Sequence, residues 1–254
     1  NDPSNDALTV ELSSAVYDLP LNSTVALNVT RTSNTSEANL NEGQAPGGAW
    51  YPTLLADVLN QRDGSAITDY NGDHTYLTGN LIVKSNPISK LDTTLYYKYL
   101  DKKNESTRFY NSARYSSTYP VEESGMSENF AYDKKSMGID AAYDLPLSTK
   151  LSAGYGRVNI KREERGDAAK TDDNIMYLGV KNDAWDVVSA GVKYNTTKRE
   201  STMGTFSTFG TTAADEWYVY RFFRRFDATD KTEDRITATV DLALITDLGI
   251  SLEY

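Results

Sequence analysis

The sequence predicts an all-β protein, built as an antiparallel up-and-down β-barrel, and three observations lead to this fold class. Apolar residues recur at every second position in many segments, which is the period of a β-strand. The connections between these segments alternate between short and long. Prolines cannot donate to a strand ladder, and we expect all seven in turns, loops or the N-terminal segment, at positions 3, 20, 46, 52, 87, 120 and 146.

The alternation is clearest in Ile236–Leu244, where Ile236, Val240 and Leu244 share one face and Thr237 and Asp241 share the other. The same criterion gives about ten strands. They are expected near residues 7–17, 22–33, 74–85, 91–103, 131–143, 149–162, 174–182, 185–198, 232–244 and 247–254.

The connections divide into two classes by length. The short ones are 18–21, 86–90, 144–148, 182–184 and 245–247, and the long ones are 34–73, 104–130, 163–173 and 199–231. In an up-and-down sheet a strict alternation places every short turn at one end and every long loop at the other. The loop 34–73 is of the extracellular type, and either a plug over the barrel mouth or an ordinary surface loop fits its sequence.

Two similar hairpins define the register problem of the N-terminal half. Tyr17–Val29 and 143–156 share a Tyr-Asp-Leu-Pro-Leu turn followed by an alternating strand. Aligning them turns Ser13 outward, whereas the first strand read alone turns Leu12 outward. A β-bulge near Ser13–Ser14 would reconcile the two.

The composition excludes several classes of function. The chain of 254 residues has a formal net charge of -10, which argues against a nucleic-acid partner. It has no cysteine, so it cannot form a disulfide, a thiolate metal site or the covalent attachment of a c-type haem, and it has one histidine. We therefore expect no enzyme, no metal site and no cofactor bound by this chain.

Low hydrophobicity together with thin apolar strand faces favours a barrel in the bacterial outer membrane. Hydrophobic residues make up 39% of the chain, and no apolar run approaches the ~20 residues of a membrane helix. In a membrane barrel only the outward half of each strand has to be apolar. A soluble secreted β-sandwich adhesin or binding module is the alternative fold, because its strands alternate in the same way.

The barrel interpretation assigns side chains to two faces. The residues expected to face lipid are Ile139, Val188, Val192, Ile236, Val240, Leu244, Ile250 and Leu252. The residues expected to face the lumen are Ser152, Ser189, Lys193, Thr237, Thr239 and Asp241.

The segment 217–226 is the richest in aromatic and arginine side chains, which are enriched at protein interfaces. One interpretation is a contact surface for a partner protein. The other is an aromatic girdle at the membrane surface, with arginines on lipid phosphates. The candidate contact residues are Trp217, Tyr220, Arg221, Phe223 and Arg224.

Three stretches, 132–146, 149–155 and 225–244, resemble strand-and-turn repeats of the MtrB/PioB family. The resemblance is strongest over residues 130–254. It implies a large outer-membrane barrel that surrounds a periplasmic multihaem c-type cytochrome, with an extracellular cytochrome as a second candidate partner and haem c carried by the partner only. Family barrels have more strands than the ten expected here, so the chain is expected to be one barrel domain over 1–254 or a segment of a larger barrel.

These inferences combine into one leading hypothesis and two alternatives. The leading hypothesis is an outer-membrane sheath that positions a cytochrome for electron transfer across the membrane of a Gram-negative bacterium. The first alternative is a general diffusion porin for small solutes, and the second is the secreted β-sandwich. Membrane lipid is an expected partner in the first two cases.

Overall fold

The computed structural model describes residues 4–39, 69–107, 110–114, 122–126, 129–163, 170–185, 188–202, 229–245 and 248–253. Every secondary-structure element in these ranges is a β-strand. None of the described residues belongs to a helix that is long and apolar enough to cross a membrane. The strands in chain order are β1 (Ser4–Leu19), β2 (Ser23–Asn39), β3 (Asp69–Ile88), β4 (Leu91–Asn104), β5 (Tyr110–Arg114), β6 (Glu122–Met126), β7 (Ala131–Leu145), β8 (Thr149–Glu163), β9 (Lys170–Trp185), β10 (Val188–Thr202), β11 (Lys231–Ile245) and β12 (Leu248–Glu253).

One antiparallel sheet contains ten of these strands, in the order β1-β2-β3-β4-β7-β8-β9-β10-β11-β12. Every strand pairs with the next strand of the sheet along the chain, so the topology is up-and-down. Strands β5 and β6 form a separate two-stranded sheet. Among the described residues β1 and β12 are not paired with each other, so the ten-stranded sheet is open at both edges. The predicted all-β up-and-down fold is confirmed.

The strands extend further than the alternating pattern predicted. β3 has 20 residues and β2 has 17, and their ladder continues from Ser23↔Ser85 to Asn39↔Asp69. Residues 34–39 and 69–73 are therefore strand rather than part of the predicted loop 34–73, and residues 40–68 lie outside the described residues. The side chains of residues 34–39 and 69–73 are mostly polar, so hydrophobic periodicity ends before the hydrogen-bonded ladder does.

The hairpin β5–β6 was not predicted, because its strands have only five residues each and fall within the predicted loop 104–130. It pairs from Tyr110↔Met126 to Arg114↔Glu122.

The two similar hairpins share an unusual backbone in their turns. Leu21 and Asn22 have φ of 63° and 48°, and Leu147 and Ser148 have φ of 60° and 50°. Non-glycine residues rarely adopt the left-handed region. A proline with fixed φ precedes each pair, at position 20 or 146, and this restricts the start of the turn.

The bulge predicted near Ser13–Ser14 is in the wrong place. The pairing of β1 with β2 is continuous from Ser4↔Glu37 to Val16↔Val25, and the register shifts between Val16 and Leu19. Asp18 lies inside this shift with φ of 55°. A left-handed residue accommodates the extra length next to the turn, so Leu12 and Val16 stay on one face and the turn keeps its resemblance to the second hairpin.

A sandwich core is not present in the described part of the chain. Ala131 is its one buried hydrophobic residue, whereas twenty-six large hydrophobic side chains there are exposed. A β-sandwich buries the inner faces of two sheets against each other. Within the described ranges the long sheet has no second layer, so the alternative of a β-sandwich is wrong.

Candidate functional site: the two faces of the sheet

The register of the ladders sorts the side chains of the sheet onto two faces. In antiparallel pairs, directly opposed residues lie on the same face. Val16, Val25, Val83, Leu95 and Ile139 oppose one another in sequence across β1, β2, β3, β4 and β7. We call the face that carries them the apolar face and the opposite one the polar face.

The apolar face carries most of the large hydrophobic side chains that the sheet leaves exposed. Leu8, Leu12, Leu81, Leu178 and Ile236 belong to it, and Ile236 is 68% exposed. A continuous exposed apolar surface of this extent marks contact with a partner or a membrane in a folded protein.

The structure brings the residues predicted to face lipid onto the apolar face. Ile139, Val192 and Val240 are exposed there and Val188 is half-buried. Ile250 and Leu252 occupy register positions opposite Leu242 and Val240, which are on the same face, and Leu244 lies at a register shift. The side chains of these last three residues lie outside the described ones.

The structure also brings together the residues predicted to face the lumen. Ser152, Gly179, Lys193 and Thr237 oppose one another across β8, β9, β10 and β11 on the polar face. One row further towards the short turns, Thr239 opposes Gly191. Beyond it, Ser189 opposes Asp241, and the Ser189 hydroxyl donates a hydrogen bond of 3.1 Å to the Asp241 carboxylate.

Glycines make part of the polar face unusually flat. Gly138, Gly154, Gly156, Gly179 and Gly191 lie on it in the adjacent strands β7, β8, β9 and β10. Because glycine has no side chain, neighbouring aromatic rings can pack directly over its backbone, as aromatic residues do over glycines in other sheets.

Two tyrosines lie over these glycines. A Cβ atom added to Gly156 would come 2.7 Å from the Tyr96 hydroxyl, and one added to Gly154 would meet the Tyr177 ring. The Tyr177 hydroxyl donates a 2.7 Å hydrogen bond to Asp140, and the Lys193 ammonium lies 4.1 Å from the centre of the Tyr177 ring. Sequence reasoning missed this cluster, because its members come from five strands and only the register joins them.

In two strands, β8 and β10, the last residue of the apolar stretch is a tyrosine on the apolar face. The Tyr155 hydroxyl donates to Asn174 at 2.9 Å, and the Tyr194 hydroxyl donates to Asp234 at 2.7 Å. Both acceptors lie on the long-connection side of the tyrosine. A ring on apolar surface with its hydroxyl on polar groups is the arrangement found at membrane–water boundaries.

The apolar stretch changes its position from strand to strand. Its bounds are 8–16 in β1, 25–29 in β2, 77–83 in β3, 91–99 in β4, 137–143 in β7, 151–155 in β8, 176–180 in β9, 188–194 in β10 and 236–242 in β11. Leu12, in the middle of the first stretch, is connected through the ladders to Glu200 of β10, which lies well outside the stretch of that strand. The apolar band therefore crosses the sheet diagonally.

Charged groups join the strands beyond the band, towards the long connections. On the polar face, Arg199 Nε and one terminal nitrogen donate to the two carboxylate oxygens of Asp173 at 2.6 and 2.7 Å. Both side chains of this pair are largely buried.

Asp172 lies on the opposite face, outside the apolar stretch of β9. Its carboxylate is bonded to three donors. It accepts hydrogen bonds from Lys170 at 2.6 Å, Asn159 at 2.6 Å and Arg157 at 3.3 Å. The hydrogen bond from Lys170 is the largest cause that holds the pKa of the Asp172 carboxyl below its usual value.

Two predictions from the sequence, the partner contact of segment 217–226 and the absence of a metal site, do not involve the two faces of the sheet. The aromatic and arginine segment with Trp217, Tyr220, Arg221, Phe223 and Arg224 lies outside the described residues. In the described part of the chain no group of three or more His, Asp or Glu side chains could hold a metal ion.

The chain is similar to a known protein family and, more weakly, to a solved structure. The outer-membrane expressed OmpT of Vibrio cholerae has a TM-score of 0.44 and 8% sequence identity, over 100% of this chain and 86% of that one. A likeness at this level carries no functional argument. No curated protein matches the chain.

The family match covers the whole chain. The family model described as "Putative outer membrane beta-barrel porin, MtrB/PioB" matches residues 1–254. The predicted resemblance is confirmed, and so is the predicted location in the outer membrane. The chain belongs to the MtrB/PioB family of outer-membrane β-barrel porins.

Proposed function

We propose that this barrel chain is a sheath for an electron conduit: it surrounds and positions a multihaem c-type cytochrome that carries electrons across the outer membrane. The coarser statement, an outer-membrane β-barrel porin, follows from the family. The finer one rests on the character of the polar face. The proposed role is non-enzymatic.

In this proposal the apolar face meets lipid and the polar face forms the inner wall. Backbone groups in the bilayer must be paired within the protein, which a ladder of long strands achieves. Ile139, Val192 and Val240 then contact acyl chains, while Thr237 and Lys193 line the interior.

The flat part of the polar face is the observation that favours a sheath over an open pore. Gly138, Gly154 and Gly156 leave room above the backbone for Tyr96 and Tyr177, whose rings lie along the wall instead of projecting from it. A flat wall lets a second protein approach closely over a wide area. A narrow barrel that closed on itself would instead fill its interior with side chains.

The haems of the conduit belong to the partner in this proposal. A c-type haem is attached through two cysteines, and this sequence contains none. The contribution of this chain is to exclude lipid from the partner and to hold it across the membrane.

A visible absorption spectrum of the tagged full-length protein tests the proposal. The protein is purified from detergent-solubilised outer membranes, beside an unrelated tagged barrel from the same membranes as a control for carry-over. We expect a Soret band of c-type haem in stoichiometric amount. A colourless preparation contradicts the sheath, and ion conductance of that preparation in planar bilayers would then support the diffusion porin.

A further inference from the structure

We infer that the polar face is a docking surface for an acidic protein surface, so that the partner lodged against this wall presents carboxylates to a patch of lysines. This inference rests on the proposed sheath and adds the chemistry by which the partner is held. We call the following five lysines the lysine patch: Lys84, Lys98, Lys102 and Lys134 on the neighbouring strands β3, β4 and β7, and Lys193 on β10. Lys193 lies apart from the other four, four strand-to-strand steps from Lys98 and six residues along β10 from the row of Lys98, which ends at Arg199.

The carboxylates of the same face already have partners. Asp92 and Asp144 lie 3.8 and 3.5 Å from the Lys150 ammonium, and Asp183 lies 3.1 Å from that of Lys181. Asp173 is held by Arg199. Glu233 is held by Lys231 and Arg235 at 3.0 and 2.9 Å.

The remaining carboxylates of this face are held by uncharged donors. Glu11 accepts from Ser13 and Asn28, Asp140 from Tyr177, and Asp241 from Ser189. These uncharged donors leave the three carboxylates negative, but none of the three forms an ion pair with a lysine of the patch, so five positive charges stand against three negative ones.

The lysine patch therefore carries surplus positive charge. Among the described residues, no carboxylate lies within 4.0 Å of the ammonium groups of these five lysines, the distance that defines the ion pairs above. Three of them lie over tyrosine rings instead, with ammonium-to-centroid distances of 5.7 Å for Lys98, 5.9 Å for Lys102 and 4.1 Å for Lys193. Such contacts leave the positive charge in place.

The pairing register brings like charges close to one another. Lys98 opposes Ser136 and Lys102 opposes Tyr132, so Lys134 is the diagonal neighbour of both lysines. Diagonal neighbours on one face are about 7–8 Å apart. Three like charges carried on these neighbouring positions repel each other in the free wall, and an acidic partner surface would reduce that repulsion. The chain as a whole has a net charge of -10, so this patch runs against the overall balance.

Zero-length cross-linking with a carbodiimide tests the inference, because this reagent joins a carboxylate to a lysine amine only when the two are in contact. The sample is native outer membrane that contains the full-length protein and whatever protein is lodged in it, and cross-linked peptides are identified by mass spectrometry. We expect amide links from the lysine patch to Asp or Glu of the lodged protein. Links of the opposite sense, from lysines of the lodged protein to Asp140 or Asp241, would overturn the inference, and so would the absence of any link to the polar face.

A matched pair of variants adds a quantitative arm. K98Q/K102Q/K193Q removes three charges from the polar face, and K103Q/K135Q/K161Q removes three from the opposite face, where Lys135 also lies over a tyrosine ring at 5.9 Å. After a wash at high ionic strength the polar-face variant should retain roughly tenfold less lodged protein per barrel than wild type, and the control should retain the wild-type amount. Equal retention by the two variants contradicts the inference.

The haem absorbance of the cross-linked partner separates the two proposals. If the cross-linked partner contains haem but is linked through its own lysines, the proposed sheath is supported and the acidic docking surface is contradicted. An acidic protein without haem, linked to the lysine patch, does the reverse.

Discussion

Thr239 and Val240 are adjacent in β11 and meet different surroundings. Val240 opposes Ala190 on the apolar face and is 37% exposed, whereas Thr239 opposes Gly191 on the polar face. A charge placed on the two faces should therefore have unequal costs, because only one face is expected to meet lipid.

We expect Val240→Arg to destabilise the membrane-inserted protein by roughly 2–4 kcal/mol, since arginine near the bilayer midplane loses its hydration. The measurement is urea unfolding from lipid vesicles. Thr239→Arg is the control and should change the unfolding free energy much less. Equal tolerance of the two substitutions would refute the assignment of the faces.

The glycines of the sheet, on both faces, differ in how rigid their surroundings are. A Cβ atom at position 138 would lie 2.6 Å from the Tyr155 backbone carbonyl oxygen, which cannot move without breaking the ladder. At position 191 the close atom is the Thr239 hydroxyl at 3.0 Å, and at position 79 it is the Tyr99 Cβ at an ordinary 3.9 Å.

Alanine substitution should reproduce this order. Gly138→Ala should cost about 1–3 kcal/mol of unfolding free energy through overpacking. Gly191→Ala should cost less, because a hydroxyl can rotate away, and Gly79→Ala should be close to neutral. Unfolding midpoints of the three variants in one detergent give the comparison, and a Gly79→Ala effect as large as that at 138 would contradict it.

At the scale of elements, strands β9 and β10 are joined beyond the apolar band by the bidentate pair of Asp173 and Arg199. Both side chains are mostly buried, at 12% and 16% exposure. Removal of one side chain of the pair leaves the charge of the other in a largely buried position with little hydration.

Arg199→Gln should therefore destabilise the long-connection ends of β9 and β10 by about 1–3 kcal/mol, between the ranges for exposed and buried pairs. Faster amide hydrogen exchange confined to residues near 170–176 and 196–202 is the expected readout. The double variant Asp173→Asn with Arg199→Gln should recover part of the loss. Uniform faster exchange along both strands would argue that the pair acts on the whole sheet instead.

Asp172 gives another pair of neighbouring strands, β8 and β9, a dependence of stability on pH. Its carboxyl has a depressed pKa in the folded state, mainly because Lys170 donates to it. The associated stability is present above the pKa of the unfolded state and is lost as the pH falls through the lower, folded value. We expect a fall in pH to accelerate amide hydrogen exchange at the long-connection ends of β8 and β9 in wild type, after correction for the pH dependence of intrinsic exchange. The same fall in pH should have a smaller effect in Asp172→Asn.

At the scale of the whole molecule, the diagonal apolar band describes how the sheet lies in a membrane. Between β1 and β10 the centre of the band moves by about nine residues over seven strand-to-strand steps. At about 3.3 Å per residue and 4.8 Å per strand, a band parallel to the membrane requires strands tilted by roughly 40° from the membrane normal. Membrane barrels have tilts in this range.

Polarised infrared spectroscopy of the amide I band in oriented bilayers measures this tilt directly. We expect roughly 40°. A tilt near zero would show that the exposed apolar residues do not form one band in the lipid, and the assignment of the apolar face would be wrong.

The open edges are also a property of the whole molecule. In the described residues β1 and β12 each have one side without a ladder. Unpaired backbone groups are costly in a bilayer, so both edges require a strand partner there, either each other or further strands.

Much of the fold could be predicted from the sequence because alternation is local. Ile236–Leu244 shows its two faces without any partner strand, and the proline-containing turns after Asp18 and Asp144 mark where strands reverse. The polar strand ends, such as 34–39 and 69–73, could not be predicted, because their pairing comes from the neighbouring strand and not from their own pattern. The bulge at Asp18 was misplaced for a related reason, since only the pairing of β1 with β2 fixes it.

The sequence by itself determined the class of this protein: an all-β, up-and-down chain with one apolar and one polar side, and with no cysteine for its own c-type haem. These are properties of composition and of a period of two residues. The tertiary structure decided which residues of different strands share a row. It placed Tyr96 and Tyr177 over glycines, paired Asp173 with Arg199, and left five lysines of the polar face without an ion pair to any described carboxylate. Register alone sets such neighbours, because a shift by one residue exchanges the two faces of a strand.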